Sequence, residues 1–282
     1  MAGSPGLHRV VATRPGHASI TRSHTRSGRR RLQLLRITVV IPTYNEIENL
    51  PRLVKALFSL PLDLKILVVD DGSADGTGRL ADELAGLHRD RFSVLHRPAK
   101  GGLRSAYLEG FRLAVEGGAE AIAQMDADLS HQPEVLQVMC GRLNECDVVI
   151  GSRYVVGGSV DQSWAAWRKA LSAFGNLYSR AILGFDVRDS TSGYRLWRSE
   201  TLRGMPLERV RASGYVFQVE MAYLATLLEY KVCEVPIHFP DRRLGRSKMS
   251  LAIQAEAAMR VLQVWWQYRD LRRQGGRGRT TL

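Results

Sequence analysis

Residues Ala121-Ile-Ala-Gln-Met-Asp126-Ala-Asp128-Leu-Ser130-His131 decide how the rest of the chain is read. A short apolar run, of the kind that forms a buried strand, ends in two carboxylates separated by one residue. In extended chain alternate side chains point the same way, so Asp126 and Asp128 can face a common ligand. Unpartnered carboxylates at the mouth of a sheet are costly, and a divalent cation is one partner that offsets the cost. Mg²⁺ characteristically combines one or two carboxylates with oxygens of a substrate phosphate. The sharp reading is a metal–diphosphate site, and the bland one is a solvated acidic turn. An isolated Asp-x-Asp does not separate the two.

Upstream, the same apolar-then-polar pattern recurs. Arg36-Ile-Thr-Val-Val-Ile41 reads as a strand ended by Pro42, and Leu64-Lys-Ile-Leu-Val-Val69 as a second. Phe92 to His96 is a third, and the opening stretch is the fourth. Between them lie segments with apolar residues at helical spacing: Glu46 to Leu60, Thr77 to His88 and Leu103 to Val115. Pro133 to Leu143 reads as a helix with proline in its first turn, and Val148 to Ile150 as a fifth strand. Strands alternating with helices predict βαβ units and a mainly parallel sheet, an α/β class. Ligands in such sheets bind beyond the carboxyl ends of the strands. Pro42 to Glu46, Asp70 to Ser73 and Asp126 to Ser130 all lie there, so three polar strand ends converge on one crevice.

Beyond Ile150 the pattern loosens. Trp164 to Leu183 reads as a helix, Asp189 to Arg195 as a polar turn, and Gly214 to Tyr230 as a helix. Val232 to Phe239 reads as extended chain broken by Pro236, Asp241 to Ser250 as a mobile loop, and Leu251 to Arg273 as a last helix. Trp164, Trp167, Phe174 and Tyr178 recur at helical spacing, for which core packing is the default and a lipid-facing groove the alternative. No internal repeat is evident.

The net charge of +12 resides at the ends. Residues 1–36 hold eight arginines and no acid, and residues 260–282 hold six arginines and only Asp270 as an acid, leaving the stretch between them near neutral. Such ends can meet nucleic acid or an anionic membrane, or simply be solvated. Cys140, Cys146 and Cys233 have no metal-like spacing and suggest no disulfide framework, in keeping with a reducing compartment. Residues 1–36 lack the apolar core of a secretory signal, and no apolar stretch is long enough for a transmembrane helix. The expected layout is a disordered basic tail at 1–35, one α/β domain at 36–250, an amphipathic helix at 251–274 and a basic tail at 275–282. On that helix Leu251, Ala255, Ala258, Leu262 and Trp265 form an apolar stripe widened by Trp266, which suits a helix lying on a membrane surface.

Taken singly, Ile41-Pro-Thr-Tyr-Asn-Glu46 is a strand end with a helix cap, and Val69-Asp70-Asp71-Gly-Ser73 a turn. At successive strand ends and in this order, with Asp126-Ala-Asp128, they resemble inverting glycosyltransferases of the GT-A fold, a Rossmann-like three-layer arrangement. Gly151-Ser-Arg-Tyr154, Ser192-Gly-Tyr-Arg195, Gly214-Tyr-Val-Phe-Gln218, Glu234-Val-Pro236, Asp241-Arg242 and Ser247-Lys-Met249 narrow the likeness. Together they resemble dolichol- or polyprenol-phosphate mannose synthases of family 2, from about Arg36 to Ser250.

The resemblance implies transfer of mannose from GDP-mannose to a polyprenyl phosphate. It implies nucleotide-sugar contacts from Pro42, Tyr44, Glu46, Val69, Asp71, Asp126, Ala127, Asp128, Arg153, Arg242 and Lys248. It also implies Mg²⁺ or Mn²⁺ on Asp126 and Asp128. Ser130 stands where many relatives carry a metal-holding glutamine, and its shorter hydroxyl reaches a metal through water. Asp128, Arg153, Arg242 and Lys248 are the expected catalytic set, the three bases holding the attacking phosphate. That phosphate is already anionic near neutral pH, its second pKa lying near ~6, so no general base is required and His131 reads as structural. The expected location is peripheral, on the cytoplasmic side of a membrane, with an anionic surface as partner and a membrane-anchoring protein as a second candidate. No nucleic acid is expected; the rival that uses the arginine tails to bind it leaves three acidic strand ends without a task. A relative transferring glucose or another hexose would share every motif.

Overall fold

The computed structural model describes residues 35–240 and 251–277. The expectations for the N-terminal tail, for the 241–250 loop with Arg242 and Lys248, and for the last five residues lie outside the described residues.

The chain opens with β1 (Ile37–Thr43), α1 (Leu50–Phe58), β2 (Leu64–Asp70), α2 (Thr77–Leu87) and β3 (Phe92–His96). Next come α3 (Leu103–Glu116), β4 (Ala121–Gln124), α4 (Val135–Arg142), β5 (Val148–Ser152) and the short β6 (Ser159–Val160). They are followed by α5 (Ala166–Leu183), β7 (Arg195–Arg198), α6 (Ser199–Gly204) and α7 (Tyr215–Leu227). Last are β8 (Val232–Pro236), β9 (His238–Phe239), α8 (Leu251–Gln267) and α9 (Arg269–Arg277).

Seven strands form one sheet in the order β3-β2-β1-β4-β7-β5-β8, and β6 pairs with β9 beside it. β7 runs antiparallel to both of its neighbours, while every other pair in the sheet is parallel. Alternate strand residues serve opposite faces. Val39, Ile41, Ile66, Val68 and Val149 pack on Leu50, Leu53, Leu57, Leu136 and Met139 of α1 and α4. Val40, Leu67, Val69, Ile122 and Ile150 pack on Tyr107 and Phe111 of α3 and on α7. Full burial of each such side chain contributes roughly 1.5–3 kcal/mol, which makes a strand apolar on both faces stable only between two helical layers.

The β1–β4 ladder ends at Val40↔Gln124, whereas β1 continues beside β2 to Thr43↔Asp70. Pro42, which has no N–H to donate, therefore sits where β1 and β4 have parted, and the parting opens the crevice.

Three local readings are corrected. The polar turn expected at Asp189 to Arg195 ends one residue early, because Arg195, wholly buried, opens β7, whose first residue carries charge where an apolar residue signals a strand. The final helix breaks at Tyr268, whose hydroxyl donates to Glu220 (2.9 Å), a carboxylate buried in α7 that also accepts from Gln267 and from the backbone N–H of Ala212. Cys146 and Cys233, 87 residues apart, form a disulfide with Cα atoms 6.0 Å apart, joining the lead-in of β5 to β8. Sequence spacing carries no information about a pairing made by strand adjacency.

Candidate active site

At the crevice a cavity of about 260 Å³ is bordered by Pro42, Tyr44, Glu46, Asp71, Asp126, Ala127 and Asp128. Seven of the expected nucleotide-sugar residues thus meet at one place. Val69 does not join them; it is buried in β2. Lys100, Gly102, Leu103 and Ala106 complete the wall from α3 and its lead-in, and no motif marked them. Lys100 lies 3.6 Å over the Tyr44 ring.

The strand ends are held by their own polar groups. Asp71 accepts from Arg97 Nη1 (2.5 Å) and from the backbone N–H groups of Gly101 (3.1 Å) and Gly102 (2.8 Å), which fixes the start of α3. Asp70 takes the hydroxyls of Thr43 and Ser73, tying β1 to β2. Asn45 and Leu129 adopt φ of +61°, unusual for residues with side chains, and both flank the cavity's acids.

Asp126 and Asp128 both accept hydrogen bonds through Oδ1. Tyr107, buried between the rings of Phe111 and Phe217, donates its hydroxyl to Asp126 Oδ1 (2.9 Å). Burial and the adjacent carboxylates push the Tyr107 phenol well above its usual range, so it remains a donor at any ordinary pH. Oδ2 of Asp126 faces Gly193, where a built Cβ would stand 3.4 Å away. Asp128 Oδ1 accepts both the N–H (3.0 Å) and the hydroxyl (2.5 Å) of Ser130, which is itself buried. The backbone N–H of Asp126 donates to His131 Nδ1 (3.0 Å), and the imidazole stacks on Tyr194. His131 is 1% exposed and spends Nδ1 on holding Asp126 in place.

A second cavity of about 390 Å³ shares Asp126 and Leu103 with the first. Its walls come from three helices: Leu171, Phe174 and Tyr178 of α5, Val216 and Val219 of α7, and Ala257, Ala258 and Val261 of α8. Trp164, Phe174 and Tyr178 border it, while Trp167 is 60% exposed, so this aromatic face is not simple core packing. Arg153 and Arg168 bring positive charge to this wall, which also carries Asp126, His131, Thr191 and Gln218. Arg153 donates through Nε and Nη2 to the two oxygens of Asp189 (2.7 Å each) and through its backbone N–H to Oδ2 (2.9 Å). Burial alone would weaken both charges, yet each raises the other's preference for ionisation: Arg153 is shifted up and Asp189 down. Glu234 accepts the backbone N–H groups of Arg188 and Asp189, fixing the turn that carries Asp189.

Comparison with known proteins identifies the family. The model of glycosyl transferase family 2 matches residues 38–204. The chain is a family 2 glycosyltransferase. This glycosyltransferase is 44% identical over 227 residues to an undecaprenyl-phosphate mannosyltransferase of Micrococcus luteus, covering 80% of this chain and 93% of that one. It is 46% identical over 229 residues to a polyprenol monophosphomannose synthase of Mycolicibacterium smegmatis, covering 81% of this chain and 86% of the relative. Among solved structures it resembles glucosyl-3-phosphoglycerate synthase of Mycobacterium tuberculosis, in complex with Mn²⁺, uridine diphosphate and glucosyl-3-phosphoglycerate. The TM-score is 0.59 at 17% identity, with 90% of this chain and 85% of that chain covered. At that identity the likeness concerns the fold, and the glycosyltransferase has the GT-A fold.

Proposed function

We propose that this glycosyltransferase moves mannose from GDP-mannose to a polyprenyl phosphate with inversion. One observation carries the reading: a cavity bordered by Glu46, Asp71, Asp126 and Asp128 and a larger one walled by apolar side chains of three helices meet at Asp126. A nucleotide sugar suits the first and an isoprenoid the second, and the relatives named for undecaprenyl-phosphate and polyprenol mannose chemistry support both.

In the donor cavity Pro42, Tyr44, Glu46 and Asp71 would hold the nucleoside. Asp126 and Asp128 suit a divalent cation, Mg²⁺ or Mn²⁺. Among the described residues no group of three or more His, Cys, Asp or Glu side chains gathers to cage a metal. Two carboxylates completed by diphosphate oxygens are the set such cations accept, and the solved relative holds Mn²⁺. When bound, the cation would neutralise the departing diphosphate as a Lewis acid and template. Ser130, hydrogen-bonded to Asp128 Oδ1, would orient that carboxylate rather than reach the cation directly.

In the acceptor cavity the isoprenoid would lie among α5, α7 and α8 with its phosphate toward Arg153 and Arg168. A phosphate oxygen attacks the anomeric carbon from the face opposite the diphosphate; the new C–O bond forms as the old one breaks, which inverts the centre. The nucleophile arrives deprotonated, so His131 need not act as a base. Arg242 and Lys248 would contribute positive charge to the two phosphates. Residues 36–250 would act as one catalytic domain, peripheral to the cytoplasmic side of a membrane.

The deciding experiment is turnover of GDP-mannose with a short polyprenyl phosphate, with and without EDTA, with the product anomer read by NMR. Expected are a β-linked product, loss of turnover in EDTA, and loss of at least ~100-fold in a folded Asp128→Asn variant. An α-linked product, or an EDTA-resistant Asp128→Asn enzyme, overturns the reading.

A further inference from the structure

The motif Gly214-Tyr-Val-Phe-Gln218 has no task in the mechanism above. In the structure Gln218 lies on α7, is 3% exposed, and borders the apolar cavity at the end that contains Asp126. Its amide is oriented by a relay whose far end can only donate. Trp197 Nε1 donates to Gln124 Oε1 at 3.3 Å, and an indole has no acceptor with which to reverse that bond. Gln124 is therefore left with its nitrogen toward Gln218, whose Oε1 accepts at 2.7 Å. Trp197 and Gln124 are both fully buried, so no bulk water competes for either end. The relay fixes an orientation that electron density alone often leaves open, and it turns the Gln218 nitrogen away from Gln124.

That nitrogen points to where the two cavities join. A Cβ built on Gly193 would stand 3.6 Å from Gln218 Nε2, 3.4 Å from Asp126 Oδ2 and 3.4 Å from His131 Cε1. The glycine keeps this space clear. Among the described residues the side-chain hydrogen bond of Gln218 is the one its Oε1 accepts, and Nε2 is not one of the buried polar atoms left without a partner, so it opens on the cavity that Gln218 borders.

We propose that Gln218 reads a hydroxyl of the transferred hexose and so contributes to sugar specificity, an inference that rests on the donor assignment above. The diphosphate would lie against Asp126 and Asp128, and the pyranose is joined directly to it, so the sugar falls beside Gly193. A neutral amide with two donors matches a neutral hydroxyl. The anionic head of the acceptor has Arg153 and Arg168, whose guanidinium groups suit phosphate better than an amide does.

The test uses the full chain and two variants, Gln218→Met and Gln218→Glu. Methionine keeps the length and a weak acceptor for Gln124 while removing both donors; glutamate keeps the relay and replaces the donors with an acceptor. Equilibrium binding of GDP and of GDP-mannose is measured first. A sugar contact predicts unchanged GDP affinity and about 10-fold weaker GDP-mannose binding in both variants. Equal weakening of both ligands would mean a disturbed fold or nucleotide site and overturns the proposal. Next, kcat/KM is measured for the parent and Gln218→Met with the 2-, 3-, 4- and 6-deoxy forms of GDP-mannose. The parent should discriminate against one deoxy donor by about 10- to 100-fold, and Gln218→Met should lose that discrimination at the same position only. Retained discrimination at every position, or a defect confined to the acceptor KM, overturns it. If the parent uses a different nucleotide hexose, the sugar part of the proposed function fails, and that hexose's deoxy series takes the place of mannose in the same test.

Discussion

Arg153, which borders the acceptor cavity, is oriented and kept charged by the fully buried Asp189, so the pair is a matter of stability before it is one of catalysis. Removing one partner of a buried pair strands the other charge, and Asp189→Asn should lower the unfolding free energy by about 3–5 kcal/mol, measured with urea at pH 7. The folded Asp189 carboxyl titrates below its usual range because Arg153 outweighs the effect of burial. Its contribution is therefore complete above about pH 4 and is lost as pH falls through the depressed folded value. The stability gap between parent and Asp189→Asn should hold steady from pH 7 to about pH 5 and narrow as pH falls below about 4; a constant gap through acid pH would argue that the pair is not ionic. Tyr107→Phe keeps the ring packed between Phe111 and Phe217 and removes only the hydrogen bond to Asp126. Outer contacts of this kind are worth roughly 10- to 100-fold in metal affinity, so Mn²⁺ binding read by EPR should weaken by about tenfold with little change in Tm. At this scale the sequence was partly legible. Acids one residue past a strand end announce themselves, because a sheet otherwise ends in apolar residues or turn formers. Asp189 does not, because its partner Arg153 is far away in sequence; Arg195 and Gln218 stand in quoted motifs, yet a buried arginine has the same letter as a solvated one and the bond from Gln124 to Gln218 spans 94 residues.

The parallel units were legible because strands buried on both faces leave continuous apolar runs, as Leu64–Asp70 does. β7 was not, for a reversed strand placed between parallel ones needs no crossover helix to mark it. Nor was the break at Tyr268, where one buried hydroxyl–carboxylate contact overrides a helical pattern that continues on both sides. The α3 helix couples fold and site, since it carries Tyr107 and borders the donor cavity through Leu103 and Ala106. It lies close on the sheet at Gly110, where a Cβ would overlap Val40 Cγ1. Alanine has the better helix propensity by up to about 1 kcal/mol, but Val40 is buried and stiff and cannot yield. Gly110→Ala should therefore cost about 1–3 kcal/mol net in chemical unfolding and weaken GDP-mannose binding as α3 moves off the strands. A stabilised variant with unchanged donor affinity would show that the helix is not tied to the site.

Across the whole molecule, the basic ends and the aromatic stripe of the last helix were legible in the sequence, and packing adds a second helix beside that stripe. α5 and α8 lie against each other, with Tyr178 donating to the Ala258 carbonyl (3.2 Å). Their outer faces expose Trp167, Phe174 and Leu177 on one helix and Met259, Leu262, Trp265 and Trp266 on the other. Arg269 and Arg272 stack 3.9 Å over Trp266 and Trp265, the pairing expected where aromatic rings sit at headgroup level. Among the described residues no helix is long and apolar enough to cross a membrane. Replacing Trp265 and Trp266 with alanine should reduce binding to anionic vesicles on the order of tenfold, assayed by co-sedimentation. Turnover of a detergent-soluble acceptor should survive, because neither tryptophan borders a cavity. Undiminished vesicle binding would move the contact elsewhere. The wall that Asp126 and Leu103 give to both cavities has a further consequence, which is a competition. On the proposed assignment, a vacant lipid chamber would leave water as a competing nucleophile at the anomeric carbon, and the sugar would be released free. A filled chamber would place the isoprenoid where that solvent competes with its own phosphate. The partition between free and lipid-linked mannose should then follow acceptor occupancy, so that scarcity of lipid makes the enzyme wasteful of donor as well as slow.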